Sequence, residues 1–286
     1  MKKLFLLSFI SVFVLFISTG CVRKDDMEGI DIITSNYPIE YLTNEMYGKN
    51  SKVDNIYPDG ENTEEYKFND KQISMFSEKD LFIYNGDNSS DIASKLSNKN
   101  NSILLIDATR GMNPTYGIEE YWLDPSNMLM MALNIKKGLE EYVNNNYLIE
   151  DINKNYQELK VNLSELDAKY KLSVENAKSN TIVVADESLQ FLEKYNINVI
   201  VLNEETLEKT YNQVAYMIKN KEIKNIYLFD KEAITDETKN LISEYKPNVV
   251  ELNKLDHITD NQRENDKDYI SIMNDNLDLI KTELYK

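Results

Sequence analysis

The sequence predicts an α/β protein of two lobes, each with a parallel sheet flanked by helices, joined by one long rigid helix. Three observations support this fold class. Short apolar runs alternate with helical patterns, first over residues 30–146 and again over residues 179–286. Between them, residues 147–178 carry one sustained helical pattern. A chain of 286 residues with 42% hydrophobic content also has room for two domains, or one large one, with a well-packed core.

Residues 1–21 are predicted to be a signal peptide that lies outside the fold. A short basic start precedes an apolar run, residues 4–17, which is shorter than the ~20 residues that a membrane-spanning helix needs. The run ends at Ser18-Thr19-Gly20-Cys21, which is similar to a bacterial lipobox, although Ser18 stands where Leu is usual. Cys21 is then expected to be the lipidated N-terminus, with residues 22–29 as a flexible tether. The alternative is an uncleaved anchor with an incidental cysteine.

Apolar runs in the first lobe have the composition of strands that are buried on both faces of a parallel sheet. They comprise residues 30–34, 53–57, 81–84 and 102–106. The helical patterns between them cover residues 38–47, 70–77 and 90–97. Pro38 suits a first helical turn, where its missing N–H is tolerated, and Gly48 occupies a position after the helix that favours glycine.

The middle of the chain is predicted to be almost entirely helical, with one helix over residues 125–147 and a second reaching about residue 177. Apolar residues of the second helix recur at intervals of four, three, four, three and four: Ile152, Tyr156, Leu159, Leu163, Leu166 and Tyr170. This stripe is typical of a long helix that lies along other elements. About 30 residues extend roughly 45 Å, which is long enough to join two lobes. A coiled coil is the alternative, but fewer than four heptads give it little support.

The second lobe repeats the alternation of the first. Its predicted strands are residues 181–185, 199–202, 226–229 and 248–252. Its predicted helices are residues 187–195, 204–219, 236–244 and 266–284. No glycine-rich loop follows any of the predicted strands, so the sequence gives no support for nucleotide binding.

Charge and composition exclude several classes of function. The formal net charge of -17 argues against binding to nucleic-acid phosphates. One His and one Cys in the whole sequence are too few for a zinc site built on several histidines, a Cys-ligated metal cluster or an intrachain disulfide. No nucleophile–base pair stands out, and a lone His leaves a catalytic triad unsupported, so we do not expect an enzyme.

Four carboxylates are candidates for a cation site. Glu64 and Glu120 lie in loops of the first lobe, whereas Asp186 and Asp256 follow strands of the second lobe. Ligands bind open parallel sheets at the carboxyl ends of the strands, so all four side chains can face a cleft between the lobes. Close carboxylates repel one another, and a hard divalent cation would relieve that repulsion. Solvation of loop carboxylates is the alternative, and the same argument could be made for Glu65, Glu119, Glu187 and Asp230.

Several residue strings, taken in order, resemble the metal-binding lipoproteins of zinc- and manganese-type ABC importers, the ZnuA/TroA-like family. The Trp122-Leu123-Asp124-Pro125 string is the most recognisable of them. The others are residues 33–39, Pro58-Asp59-Gly60 with the following Glu64 and Tyr66, residues 79–86, and residues 269–277. The resemblance covers nearly the whole chain after Cys21. It implies two α/β lobes joined by a rigid helix, with a metal between them. Trp122 and Tyr121 are otherwise expected to serve core packing.

The ligand positions depart from the pattern of that family. Relatives usually carry His at the positions of Glu64 and Glu120, His or Glu at Asp186, and Asp at Asp256. All four positions are acidic in this chain. Either the site has been rebuilt with oxygen ligands for a divalent cation, or the chain has lost metal binding and acts as a surface adhesin or accessory lipoprotein. His257 could add one nitrogen ligand.

The resemblance therefore implies an extracytoplasmic substrate-binding lipoprotein of an ABC transporter. We expect it to capture a divalent cation (manganese, calcium or zinc) and to deliver it to a membrane permease. The protein is expected to be a monomer that the lipid on Cys21 anchors to the outer face of the cell membrane.

Overall fold

A computed structural model describes residues 27–61, 63, 65–113 and 119–286 of the protein. Within these ranges, no helix combines the length and the apolar character that crossing a membrane would require. Glu64 and Cys21, two residues singled out from the sequence, lie outside the described residues.

The N-terminal lobe contains a four-stranded parallel sheet in the order β2-β1-β3-β4. Its strands are β1 (Ile30–Thr34), β2 (Ser51–Asn55), β3 (Leu81–Tyr84) and β4 (Leu104–Asp107). Its helices are α1 (Tyr37–Tyr47), α2 (Asp70–Ser77) and α3 (Gly86–Lys99). Strands β1, β3 and β4 are mainly apolar, as the sequence predicts for this lobe, whereas the edge strand β2 is mainly polar.

The C-terminal lobe repeats this topology with a second parallel sheet in the order β6-β5-β7-β8. Its strands are β5 (Thr181–Val184), β6 (Asn198–Val201), β7 (Asn225–Leu228) and β8 (Asn248–Glu251). Its α-helices are α6 (Glu208–Lys219), α7 (Asp236–Tyr245), α8 (Asp260–Glu264) and α9 (Tyr269–Leu284). The two sheets confirm the predicted fold class.

Two helices lie between the sheets, α4 (Pro125–Tyr142) and the 27-residue α5 (Asn146–Leu172). Helix α5 packs against α1 and α4, which belong to the first half of the chain, and against α9 of the C-terminal lobe, so it contacts both lobes. All six apolar positions of its predicted stripe are buried, together with Leu148. One continuous hydrophobic cluster runs from the first sheet, past α5, to the second sheet. The helix ends at Leu172, earlier than predicted, and turns lead from there to β5.

Local hydrogen bonds explain two of the element boundaries that differ from the predictions, and one predicted helix is of a different type. Strand β2 ends at Asn55, before the predicted end, because the Asn55 side chain accepts a hydrogen bond from the Tyr57 backbone N–H at 3.0 Å and closes a turn. Helix α3 begins at Gly86 because the preceding Asn85 caps it. Residues 187–195 form a 3-10 helix instead of the predicted α-helix.

Gly48 has a different role from the one predicted. It follows α1 with a right-handed backbone (φ −60°), so no left-handed conformation requires glycine. A Cβ atom at this position would lie 2.7 Å from the Asn44 carbonyl oxygen. Close approach to the last turn of α1 is therefore the reason for glycine here.

Candidate functional site

A cleft lies at the carboxyl ends of the C-terminal strands, where a turn of the N-terminal lobe approaches them. Its volume is about 310 Å³. The N-terminal lobe contributes Gly60, from the Pro-Asp-Gly turn after β2. The other lining residues lie at or after the ends of β5, β7 and β8: Ala185, Asp186, Leu228, Phe229, Asp230, Ala233, Ile234, Lys254, Asp256 and His257. The cleft therefore combines polar groups from three strand ends with an apolar wall.

Asp186 enters the cleft immediately after β5. Its Oδ1 atom accepts hydrogen bonds from the backbone N–H of Ser188 at 2.9 Å and from the Ser188 hydroxyl at 2.5 Å. The residue thereby caps the 3-10 helix Glu187–Tyr195. Within the described part of the chain, all hydrogen bonds to its side chain use Oδ1. The carboxylate is thus held by one oxygen at the wall of the cleft.

Asp256 is a half-buried carboxylate with two partners. Its Oδ2 atom accepts a hydrogen bond from the Thr63 hydroxyl at 2.8 Å, and its Oδ1 atom lies 2.9 Å from Nδ1 of His257. Nδ1 of His257 is buried and makes no hydrogen bond to the described residues, so its contact with Asp256 is an ion pair only when the imidazole is protonated. Burial raises the pKa of Asp256, but His257, Thr63 and the charge of Lys254 outweigh it and lower the pKa overall. Asp256 is therefore anionic at neutral pH.

The segment that carries Asp256 is fastened to the opposite lobe; we call residues 254–263 the strap. The Trp122 indole N–H donates to the Lys254 carbonyl oxygen at 2.7 Å. The backbone N–H of Tyr37 donates to the carbonyl oxygen of Asp256 at 3.2 Å, and that of Gly60 donates to Ile258 at 2.9 Å. Three elements of the N-terminal lobe thus fix the strap.

The burial of Trp122 confirms its predicted role in core packing. It lies in a 3-10 helix, Tyr121–Leu123, directly before α4, and its side chain is only 3% exposed. The contact of its indole nitrogen with the strap adds a second role, which the sequence does not predict.

Glu120 immediately precedes this 3-10 helix, and its carboxylate forms an ion pair with Lys254. Nζ of Lys254 lies 3.0 Å from Oε1 of Glu120, and both side chains are largely buried. Lys254 also lines the cleft, and its charge contributes to the lowered pKa of Asp256, so it links Glu120 to this region. Glu120 is not among the described residues that line the cleft.

Two of the four predicted carboxylates, Asp186 and Asp256, line one cleft, and Glu120 reaches it only through Lys254. Among the described residues, no three His, Cys, Asp or Glu side chains are grouped closely enough to hold a metal ion. The four-carboxylate site stays a prediction, because Glu64 lies outside the described residues. Of the alternative carboxylates, Asp230 also lines the cleft.

Lys254 and Thr63 are the residues of this site that sequence reasoning missed. Lys254 precedes Asp256 by two positions, and this proximity could have indicated its role. A cation close to a group of carboxylates neutralises part of their negative charge. Thr63 lies one position before Glu64 and gives no such signal.

Two parallel-sheet lobes, one long connecting helix and a carboxylate-bearing cleft between the lobes define a two-lobed α/β protein. The sequence profile of the family described as "Zinc-uptake complex component A periplasmic" matches residues 32–283, and the chain belongs to this family.

Known proteins resemble the chain at low identity over most of its length. The zinc-binding protein AdcA of Streptococcus pyogenes is 22% identical over 318 residues, which cover 98% of this chain but 61% of the relative. The chain therefore spans less than two thirds of that relative's length. The high-affinity zinc uptake system protein ZnuA of Bacillus subtilis is 22% identical over 283 residues, 89% of this chain and 88% of the relative.

Solved structures share the fold. The Zn(II)-bound ZnuA-like domain of Streptococcus pneumoniae AdcA has a TM-score of 0.74 and 21% identity, and covers 90% of this chain and 100% of that domain. The metal-dependent lipoprotein YcdH of Bacillus subtilis has a TM-score of 0.75 and 21% identity, with 89% and 99% coverage.

Proposed function

We propose that this protein is the extracytoplasmic substrate-binding component of an ABC importer. It captures a divalent cation in the cleft between its lobes and delivers the ion to a membrane permease. The observation that carries the proposal is the meeting of Asp186 and Asp256 at one cleft in a chain that belongs to a zinc-uptake family. The role is binding and transfer, and no catalytic step is assigned to any residue.

The proposed ligands are Glu64, Glu120, Asp186 and Asp256. Carboxylate oxygens favour hard cations, so manganese and calcium fit this set better than zinc. Zinc is nevertheless named for several relatives, and it is the third candidate. Hydrogen bonds already orient Asp186 and Asp256, which reduces the entropy lost when an ion binds.

We also propose that residues 1–21 are a signal peptide, that Cys21 carries the lipid anchor and that residues 22–29 are the tether. A related protein of Streptococcus pneumoniae, 24% identical over 311 residues, is named zinc-binding lipoprotein AdcA, which supports a lipid anchor at the extracytoplasmic face of the cell membrane. Residues 30–146 and 179–286 are the two lobes, and residues 147–178 link them. The protein acts as a monomer.

Thermal unfolding in the presence of cations tests the proposal. The protein without its signal peptide is stripped with chelator and heated with manganese, calcium or zinc. At least one ion should raise the melting temperature, because a ligand that binds only the folded state stabilises it by mass action. The Asp186→Asn variant should lose most of this gain, because it removes the charge while Asn still caps the following helix.

Glu187→Gln is the matched control, since it removes the neighbouring carboxylate that does not line the cleft. This variant should respond to the ion like the wild type. If no divalent ion shifts the melting temperature of the wild type at any concentration, the proposed capture of a cation is wrong.

A further inference from the structure

The most unusual feature of the cleft is that a lysine shares it with the carboxylates. Nζ of Lys254 lies 3.0 Å from Oε1 of Glu120, and Lys254 is also one of the residues that line the cleft with Asp186 and Asp256. The positive charge of Lys254 lowers the pKa of Asp256 and so helps to keep that carboxylate ionised. A positive charge at this place competes electrostatically with any cation that these carboxylates would bind.

Lys254 is held in position by its backbone. The Trp122 indole N–H binds the Lys254 carbonyl oxygen, and the strap is further tied to the N-terminal lobe through Asp256 and Ile258. The side chain is 21% exposed, so most of it is packed against protein. Because its backbone is fixed and its side chain is packed, the Lys254 ammonium is less mobile beside Glu120 than the ammonium of an exposed surface lysine.

We propose that Lys254 sets the affinity of the cation site by acting as a tethered counter-ion of Glu120. This inference rests on the proposed function. Without metal, the ammonium balances the carboxylate charge and holds Glu120 in the cation-free arrangement. An incoming divalent ion must displace the ammonium before it can use Glu120, and it meets the repulsion of a nearby positive charge. Lys254 thus keeps the affinity lower than the carboxylates alone would give.

Isothermal titration with manganese, calcium and zinc compares the wild type with Lys254→Gln and Lys254→Arg. Lys254→Gln should bind the proposed cargo at least about tenfold more tightly, because the competing charge is gone. Lys254→Arg keeps the charge and should stay within about threefold of the wild type. Neither change removes the carbonyl group that Trp122 contacts, so the strap keeps this attachment.

Lys267→Gln is the control for net charge. Lys267 pairs with Asp275 on the surface of the same lobe, at 2.6 Å, and does not line the cleft. Its loss should leave the affinity unchanged. Circular dichroism and the melting temperature of each cation-free variant report whether the fold is intact.

The possible outcomes separate this inference from the proposed function. Tighter binding by Lys254→Gln alone supports the inference, and so does binding by this variant when the wild type binds nothing. Binding by the wild type with equal or weaker binding by Lys254→Gln overturns the inference and leaves cation capture standing. If neither the wild type nor any variant binds a divalent ion, both proposals are wrong.

Discussion

At the scale of single residues, Asp167 connects three parts of the molecule. It lies on α5 and accepts hydrogen bonds from Ser126 at the start of α4, at 3.2 Å, and from Lys194 and Tyr195 of the second lobe, at 2.9 Å and 2.7 Å. Lys194 also contacts Asp124, the cap of α4. Burial raises the pKa of Asp167, but the donors from Tyr195 and Lys194 outweigh it and lower the pKa overall.

We expect Asp167→Asn to destabilise the protein by about 1 kcal/mol at pH 7, a modest value because the carboxylate is partly exposed. A carboxyl group with a lowered pKa in the folded state stabilises the fold above its unfolded pKa of about 3.9. The contribution is lost as the pH falls through the folded pKa. Urea unfolding from pH 7 to pH 3 should therefore show the difference between variant and wild type shrinking with acid.

The exposed Asp151 on the same helix provides the matched control. Asp151→Asn should change the free energy of unfolding by no more than about 0.5 kcal/mol at any pH. A difference between Asp167→Asn and the wild type that stays constant with pH would contradict the assigned ionic role.

The placement of Asp186 and Asp256 at the cleft could be predicted from the sequence, because both follow apolar runs and parallel strands end at one edge. The pairing of Glu120 with Lys254 could not. These residues are separated by 134 positions, and their contact depends on how Trp122 and the strap pack together. Sequence spacing assigns a loop to an edge of the sheet, but it does not determine the direction of each side chain.

At the scale of elements, α4 approaches the first sheet closely at Gly138. A Cβ atom at this position would lie 2.7 Å from both Cγ1 and Cγ2 of Ile106 on β4. Ile106 is buried, so its side chain has little space to move away. A glycine inside α4 destabilises the helix, but it allows the helix to pack closely against the sheet, which stabilises the fold.

We expect Gly138→Ala to destabilise the protein by about 1 kcal/mol. Alanine improves helix propensity by about 1 kcal/mol, but overpacking a filled core costs about 1–3 kcal/mol. In an Ile106→Ala background the new methyl group has space, so the same substitution should become stabilising. Urea unfolding of the four proteins in this cycle gives the result, and a stabilising Gly138→Ala in the wild-type background would refute the packing argument.

The strands and helices themselves were largely predictable, whereas their ends were not. Apolar runs such as β3 and β5 are determined by burial between helices, which a single sequence displays directly. The end of β2 depends on one side-chain hydrogen bond of Asn55. Helix α8 was missed, although Thr259 and Gln262 form a capping box, a signal that the sequence contains.

At the scale of the whole molecule, Arg263 of the strap joins the lobes. Its guanidinium binds both oxygens of Asp59, with Nε–Oδ2 at 2.6 Å and Nη2–Oδ1 at 2.8 Å. It also donates to Oε1 of Glu40 at 2.9 Å, and Glu40 is only 5% exposed. Asn55 is a second donor to Glu40, at 3.3 Å. A buried carboxylate of α1 is thus neutralised from the other lobe.

We expect Arg263→Ala to lower the free energy of unfolding by about 2 kcal/mol, because it leaves Glu40 buried without its cation. The loss should fall short of that for a fully buried pair, since Arg263 is itself partly exposed. Arg263→Lys should lose an intermediate amount, because a lysine cannot bind both oxygens of Asp59 in the same way. Chemical denaturation measures all three proteins.

Lys267→Ala is the comparison for a surface ion pair, and it should change the free energy of unfolding by no more than about 0.5 kcal/mol. If Arg263→Ala had an equally small effect, the contact between strap and N-terminal lobe would not contribute to stability.

The attachment of the strap changes which parts of the cleft can move apart. By sequence Asp256 belongs to the second lobe, yet Tyr37, Gly60, Thr63 and Trp122 of the first lobe all hold the segment around it. Asp186, in contrast, is anchored within the second lobe by its own helix cap. If the lobes separate as rigid bodies, Asp256 travels with the first lobe and Asp186 with the second. The boundary between the moving bodies then passes between these two carboxylates. Any motion of the lobes would therefore change the distance between Asp186 and Asp256.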